Sequence, residues 1–292
     1  MKIRRPTEAD AAAVTDLIRA EELEMAGDPG QTERDLRDEW SALDLERDVW
    51  LVELDGRLAA CIALATEARP LAIGCVHPEL RGRGIGARLV DLVEEEACER
   101  GLPKLQIPVF AADERAHDLL QRRGYREVRR SYRMSIELDA PPELPEWPPG
   151  IAVTAIDAGE IDRFHDALDE AFAKEWGHEP ERGVDWAGIR ARRFPDQSLW
   201  FAAKDGGEIA AGAVAEETGE GGWVAAIGVR ERWRRRELGR ALLLHCFSEL
   251  HGRGIRKIAL GVDAENPTGA TRLYERAGMR VVRNIVFFEK TL

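Results

Sequence analysis

Four stretches of this chain recur roughly 150 residues later, and that recurrence constrains the fold more than any other feature. VWLVELDGRLAA (49–60) matches LWFAAKDGGEIAA (199–211) with one inserted residue. IGCVHPELRGRGIGARLV (73–90) matches IGVRERWRRRELGRALLL (227–244), and LPKLQIPVF (102–110) matches IRKIALGVD (255–263). AHDLLQRRGYREV (116–128) matches ATRLYERAGMRVV (270–282). The period is far longer than the roughly 20–50 residues of a solenoid repeat. It is the spacing of a duplicated domain, and 292 residues suit two such domains. Between the copies, DAPPELPEWPPG (139–150) holds five prolines. Proline fixes φ and lacks a backbone donor, so this stretch reads as an extended linker. The expected division is a first domain over 1–140, a linker over 141–149 and a second domain over 150–292.

Within each half the pattern runs helical start, three strands, a Gly/Arg loop, helix, strand, helix, strand. The Asp-Gly steps at 55–56 and 205–206 join apolar runs and signal hairpins. PTEADAAAVTDLIRAEELEM (6–25) opens on Thr7, a candidate N-cap, with Asp10 three places on. This order predicts an α+β fold, two tandem domains each with a mixed, largely antiparallel sheet flanked by helices.

RGRGIG (81–86) sits between a strand-like run, 73–76, and a helical pattern that places Leu89, Leu92, Val93 and Ala97 on one face. A strand-to-helix turn leaves helix N–H groups free and adds a partial positive charge. Glycines let the backbone approach an anion, and arginine adds bidentate charge. This is the chemistry of a pyrophosphate cradle. It is not a Walker loop, because no Gly-Lys-Ser/Thr follows. Nor is it a dinucleotide fold, because no repeated βαβ pattern surrounds it.

With these residues in place, each half resembles a GNAT-superfamily acyl-CoA N-acyltransferase. That family carries Arg/Gln-x-x-Gly-x-Gly/Ala after a strand ending in a Val-x-Pro-like step, and VHPELRGRGIGARLV (76–90) matches it. A second family element, an Asn before a helix and then Ala, Leu-Tyr and Gly-Phe/Tyr/Met, is matched by NPTGATRLYERAGM (266–279). The tandem arrangement resembles the mycothiol synthase type, in which the C-terminal copy is associated with catalysis. The resemblance implies acetyl-CoA as acyl donor and no metal. Val76, Arg81, Gly82, Gly84, Gly86 and Ala87 would hold it in the first copy. In the second, Val229, Arg234, Arg235, Arg236, Leu238, Gly239 and Arg240 would do so, with Asn266. The strands 73–76 and 224–229 would pair with pantetheine, and Tyr274 would protonate the departing thiolate.

The copies have complementary departures from the pattern. In the first, Ala112 stands at the place of Asn266 and Leu120 at that of Tyr274. In the second, Glu237 replaces the loop glycine matched by Gly84. A carboxylate about 5 Å from a phosphate charge costs about 3 kcal/mol at an effective dielectric near 20 if nothing screens it. Leucine cannot donate a proton, whereas a phenol can. The C-terminal copy is therefore expected to be the catalytic one, and the first to bind acyl-CoA or to serve structurally. An alkylamine must also lose a proton. Glu216 and His178 are candidate bases, with Glu217, Asp263 and Glu265 as further carboxylates and a water chain as an alternative. KEWGHEP (174–180) is expected to line the acceptor pocket through Glu175 and Trp176.

The net charge of −12 lies mostly in the first half and disfavours nucleic-acid binding. The basic run 230–236 conflicts with that charge and has Trp233 as its one aromatic. Cys61, Cys75, Cys98 and Cys246 form no Cys-x-x-Cys pair and read as small buried hydrophobes in a reducing compartment. No apolar signal core or membrane span is visible, so a cytoplasmic location is expected. The expectation is an N-acetyltransferase acting on a primary amine of a small molecule, as a monomeric pseudo-dimer or a homodimer. A mycothiol synthase-like acetylation of a cysteinyl amine is a narrower alternative. A non-catalytic acyl-CoA-binding module is a different one.

Overall fold

Residues 1–66, 69–157, 159–175 and 197–292 are described by the computed structural model. They divide into two compact units, one of Met1–Tyr132 with Val282–Leu292 and one of Arg133–Val281.

The first unit begins with β1 (Lys2–Arg4), α1 (Ala11–Ala26) and α2 (Glu33–Trp40). Thr7 and Asp10 form a capping box on the 3-10 turn that leads into α1. β1 and α2 were not legible as elements; α2 starts where the Thr32 hydroxyl accepts the Asp35 N–H at 3.2 Å. β2 (Val49–Leu54) and β3 (Arg57–Ala65) form a hairpin. Its turn residues Asp55 and Gly56 have φ of 52° and 79°, the left-handed pair that matches strand twist. β4 (Leu71–Val76), α3 (Ile85–Glu99), β5 (Lys104–Phe110), α4 (Glu114–Arg122) and β6 (Arg126–Glu137) follow. Alternation along the strands sorts the core. Leu51, Cys61 and Cys75 pack with α1 and α2 through Val14, Leu17, Leu36 and Trp40. Trp50, Val52, Ala60 and Ile62 face the other way, toward Leu89 and Val93 of α3.

The second unit repeats the plan with β7 (Ile151–Ala155), α5 (Ile161–Phe172), β8 (Trp200–Asp205) and β9 (Glu208–Thr218). β10 (Gly221–Val229), α6 (Leu238–Gly252), β11 (Lys257–Asp263) and α7 (Ala270–Arg276) complete it before the C-terminal strand β12 (Arg280–Thr291). Phe164 of α5 packs on one sheet face with Trp200, Ala202 and Val214. A Cβ added at Gly222 would meet Leu250 of α6, which covers the other face.

The division departs from the sequence repeat at the last strands. β12 pairs antiparallel with β5 in the first unit, from Ile285 opposite Phe110 to Thr291 opposite Lys104. The end of β6 lies in the second unit beside β11, where the Leu138 N–H meets the Arg256 carbonyl at 2.8 Å. Each unit thus holds the final strand of the other repeat, an exchange that similar repeats tolerate because either strand satisfies the same ladder. The proline-rich segment is extended and fixed to the second unit. Glu143 accepts from Arg240 at 2.6 Å, and Trp147 meets His245 edge-on at 5.9 Å.

Cys61, Cys75 and Cys246 are buried, but Cys98 is exposed on α3. It is the penultimate residue of the helix and lies outside the buried stripe of Leu89, Leu92, Val93 and Ala97. Among the described residues no helix is long and apolar enough to cross a membrane, and no group of side chains is arranged to hold a metal.

Candidate functional site

β10 and β11 run parallel but pair only from Gly222–Val224 opposite Ile258–Leu260. Beyond that point β10 keeps its pairing with β9 alone, after a register shift between Val224 and Ala226. The bulge turns the strand over. Gly222 faces α6, whereas a Cβ at Gly228 would lie 2.9 Å from Ala171 of α5. A wedge therefore opens between β10 and β11 toward their C-terminal ends, leaving one edge of Ala226–Val229 without a strand partner among the described residues. The first unit has the same opening, for β4 and β5 pair in parallel only at Leu71 and Gln106.

At the mouth of each wedge a loop enters a helix. Gly82 and Gly84 have φ of 76° and 80°, and Arg235 and Glu237 hold the matching places at 63° and 56°. The second loop thus keeps the same left-handed backbone without glycine, a conformation that L-residues adopt at a cost of about 1–2 kcal/mol each. Neither helix has a side-chain cap at its start. The first intrahelical bonds run from Arg88 to Gly84 at 3.1 Å and from Ala241 to Glu237 at 3.0 Å. The N–H groups of residues 85–87 and 238–240 are left open to an anion.

The motif arginines are tied inward. Arg234 donates to the Val229 carbonyl at 3.0 Å and to the Ala171 carbonyl at 2.8 Å, joining loop, strand end and α5. Arg81 is nearly buried and meets three carboxylates, Glu24, Glu21 and Asp113. Burial pushes the Glu21 carboxyl up to about 8 against the pull of Arg81. Arg235 and Arg236 remain exposed at the second loop, with Arg236 3.6 Å from Asp205. Gly239 has a packing reason, since a Cβ there would lie 3.2 Å from Leu273, whereas one at Gly86 would make ordinary contact with Leu119 at 3.4 Å.

A sequence profile of the acetyltransferase (GNAT) family matches residues 12–125 and again 161–279. The chain belongs to this family. A mycothiol acetyltransferase of Cellulomonas flavigena is 30% identical over 247 residues, covering 77% of this chain and 68% of that one. One from Catenulispora acidiphila is 29% identical over 94% of each chain. A GCN5-related N-acetyltransferase from Sphaerobacter thermophilus superposes with a TM-score of 0.89 at 34% identity, over 99% of this chain and 95% of that one. A tandem GNAT protein from the clavulanic acid biosynthesis pathway shares the fold, with a TM-score of 0.77 at 17% identity over 99% and 98% of the two chains. The protein is a tandem GNAT acyltransferase.

The second GNAT element is also present in both units, with one correction to the sequence alignment. The Asn266 N–H bonds to Asp263 O at 3.1 Å, and the Asp113 N–H bonds to Phe110 O at 3.0 Å. Asp113, not Ala112, therefore stands where Asn266 does, because the loop of the second copy is one residue longer beyond that point. Leu120 and Tyr274 do correspond. Their carbonyls accept from Tyr125 and Met279, each at 3.0 Å.

Tyr274 is 7% exposed. Its phenol is raised above the usual tyrosine range, first by burial and then by the charge of Glu175. Glu175 in turn accepts from the Asn266 amide at 2.9 Å. These three residues come together. Glu216 and Glu217 lie elsewhere. Gly212 faces Phe164 of α5, so by alternation Glu217 points to the α6 side, where Arg253 holds it at 3.2 Å. Glu216 lies opposite Trp223, at the closed end of the wedge. His178 and Trp176 lie outside the described residues.

Glu237 is exposed, and its carboxylate is 3.5 Å from Arg276. That cation screens the repulsion expected of a carboxylate beside a phosphate, although an exposed pair itself contributes under about 1 kcal/mol. Glu237→Gly and Arg235→Gly are each expected to stabilise the protein by about 1 kcal/mol through release of left-handed strain, a rise of about 2 °C in Tm. Thermal melts check this. A lower Tm for both would show that the loop is not strained.

Proposed function

We propose that this protein transfers the acetyl group of acetyl-CoA to a primary amine of a small molecule, at the C-terminal unit. The meeting of Tyr274, Asn266 and the left-handed loop at the mouth of one wedge carries this reading. The open N–H groups of Leu238, Gly239 and Arg240 suit a pyrophosphate, and Arg235 and Arg236 add positive charge. The unpaired edge of Ala226–Val229 offers backbone groups to an extended amide chain. The amine attacks the thioester carbonyl directly, and Tyr274 gives its proton to the leaving sulfur. In the first unit Leu120 fills the place of that phenol, so that unit binds or supports without catalysing.

A narrower reading takes the acceptor to be a cysteinyl amine, as in a mycothiol-synthase-like reaction. The relatives named mycothiol acetyltransferase favour it. The first test is calorimetric titration of acetyl-CoA, followed by thiol release with a panel of primary amines that includes cysteine derivatives. Binding with turnover of at least one amine is expected. Tight binding with no turnover across the panel would replace this reading with a non-catalytic acyl-CoA-binding module.

A further inference from the structure

An alkylamine with a pKa near 10 is almost wholly protonated at neutral pH, so a nucleophile must first be made from an ammonium ion. β10, the strand beside the wedge, reads GGWVAAIGV and carries no ionisable side chain. The carboxylate must come from another element. Glu217 is on the wrong face and paired to Arg253. Glu216 is at the closed end, and Asp263 accepts the Glu265 N–H at 2.9 Å.

Glu175 is placed differently. It follows α5 by three residues, and the last turn of α5 lies over the open part of β10: a Cβ at Gly228 would meet Ala171 at 2.9 Å and Phe172 at 3.4 Å. From that side Glu175 reaches to Asn266, on the β11 side of the opening. The Asn266 orientation is fixed by its own bonds. Its Oδ1 accepts the Thr268 N–H at 2.8 Å and the Thr268 hydroxyl at 2.5 Å, so Nδ2 must face Glu175. Among the described residues Asn266 is the sole hydrogen-bond partner of the Glu175 carboxylate, and it engages Oε1 only. Among those residues Oε2 accepts no hydrogen bond, and its lone pairs can receive a cation.

We propose that Glu175 receives the ammonium group of the acceptor and takes its proton, and that Asn266 is the residue that positions it. This rests on the acetyl transfer proposed above. The ammonium gives one proton to the Glu175 carboxylate, and the freed nitrogen bonds to the acetyl carbon. The carbon–sulfur bond breaks with its electron pair on sulfur, which takes the Tyr274 proton. The proton still carried by the new amide nitrogen restores the phenol. Glu175 releases its own proton to water, so one proton leaves per turnover. The specificity that follows is for a cationic amine over a neutral acceptor such as an alcohol. Tyr274 already senses the Glu175 charge, which places acid and base within one field.

Glu175→Gln in the full chain isolates the role, since glutamine still accepts from Asn266 but cannot hold a proton. Melting temperature and acetyl-CoA affinity report folding. The reading is kcat/KM against pH for amines of graded pKa. With an alkylamine the variant is expected to fall by about a hundredfold or more and to lose the acidic limb. With methoxyamine, which is neutral at the assay pH, the deficit should shrink to a few-fold. Asn266→Ala should show the same dependence on amine pKa at smaller amplitude. A uniform loss across all amines, or none, overturns the assignment of Glu175 while acetyl transfer stands. If the wild type turns over no amine at all, both readings fall together.

Discussion

Tyr274→Phe is expected to lower kcat by about 10²- to 10⁴-fold while acetyl-CoA affinity changes by less than about threefold. The substitution removes one oxygen and keeps the ring that packs at 7% exposure, so the fold should be unaffected. The size of the loss follows from the chemistry. In the proposed transfer, removing the phenol takes away the donor assigned to the leaving thiolate. Burial and the Glu175 charge raise the phenol above its ordinary value of 10, so it stays protonated across the working pH range. The alkaline limb of the rate profile should therefore not come from Tyr274 below about pH 10. Single-turnover thiol release separates this chemical step from product departure. A Phe variant within about threefold of wild type would mean that water, not Tyr274, protonates the sulfur. Leu120→Tyr in the first unit supplies the phenol alone, and no second activity is expected from it. There the counterpart of Asn266 is Asp113, and it is drawn with Glu21 and Glu24 toward Arg81 instead of holding a carboxylate with an amide.

Much of this was legible before any coordinates, because duplication allowed each half to be read against the other. The hairpins, the strand–loop–helix units and the correspondence of Leu120 with Tyr274 came directly from local patterns. What failed to appear was non-local. Nothing in the sequence of 280–291 says that it pairs with β5, since strand partners are chosen by the whole sheet and two similar repeats offer equivalent ladders. The Asp113–Asn266 equivalence was hidden by a one-residue difference in loop length. The inward role of Arg81 and Arg234 was also out of reach, for a guanidinium suited to phosphate serves equally well on carbonyls and carboxylates. The contact of Glu175 with Asn266 was not visible either. The bond between them crosses 91 positions of chain. Conversely, Glu237 looked like a defect in the sequence. In the fold it is a residue held left-handed, with Arg276 beside its charge.

Something must hold Arg235 and Glu237 in that conformation, and Trp233 is placed to do it. Trp233→Ala is expected to destabilise the second unit by about 3–5 kcal/mol. The indole is 2% exposed, and its Nε1–H donates to Asp205 at 2.9 Å. Guanidinium groups of Arg232 and Arg230 lie 4.7 and 5.1 Å from the ring. Truncation removes that packing, leaves a cavity and takes one hydrogen bond from Asp205, which keeps Arg236. The first unit has Leu80 in the corresponding turn, also buried, beneath a loop whose left-handed positions are glycines. Glycine needs no such clamp. Trp233→Leu should therefore recover much of the packing, yet leave a loop that is less firmly held. Hydrogen exchange of α6 and of the β8–β9 hairpin reads the effect in the second unit alone, with acetyl-CoA affinity measured in parallel. Pairing Trp233→Ala with Arg235→Gly and Glu237→Gly gives the sharper outcome. If the indole holds strained backbone in place, the glycines should restore part of the affinity lost with it. If they restore none, Trp233 acts through burial only, and the left-handed loop is maintained by Arg234 and its two carbonyls.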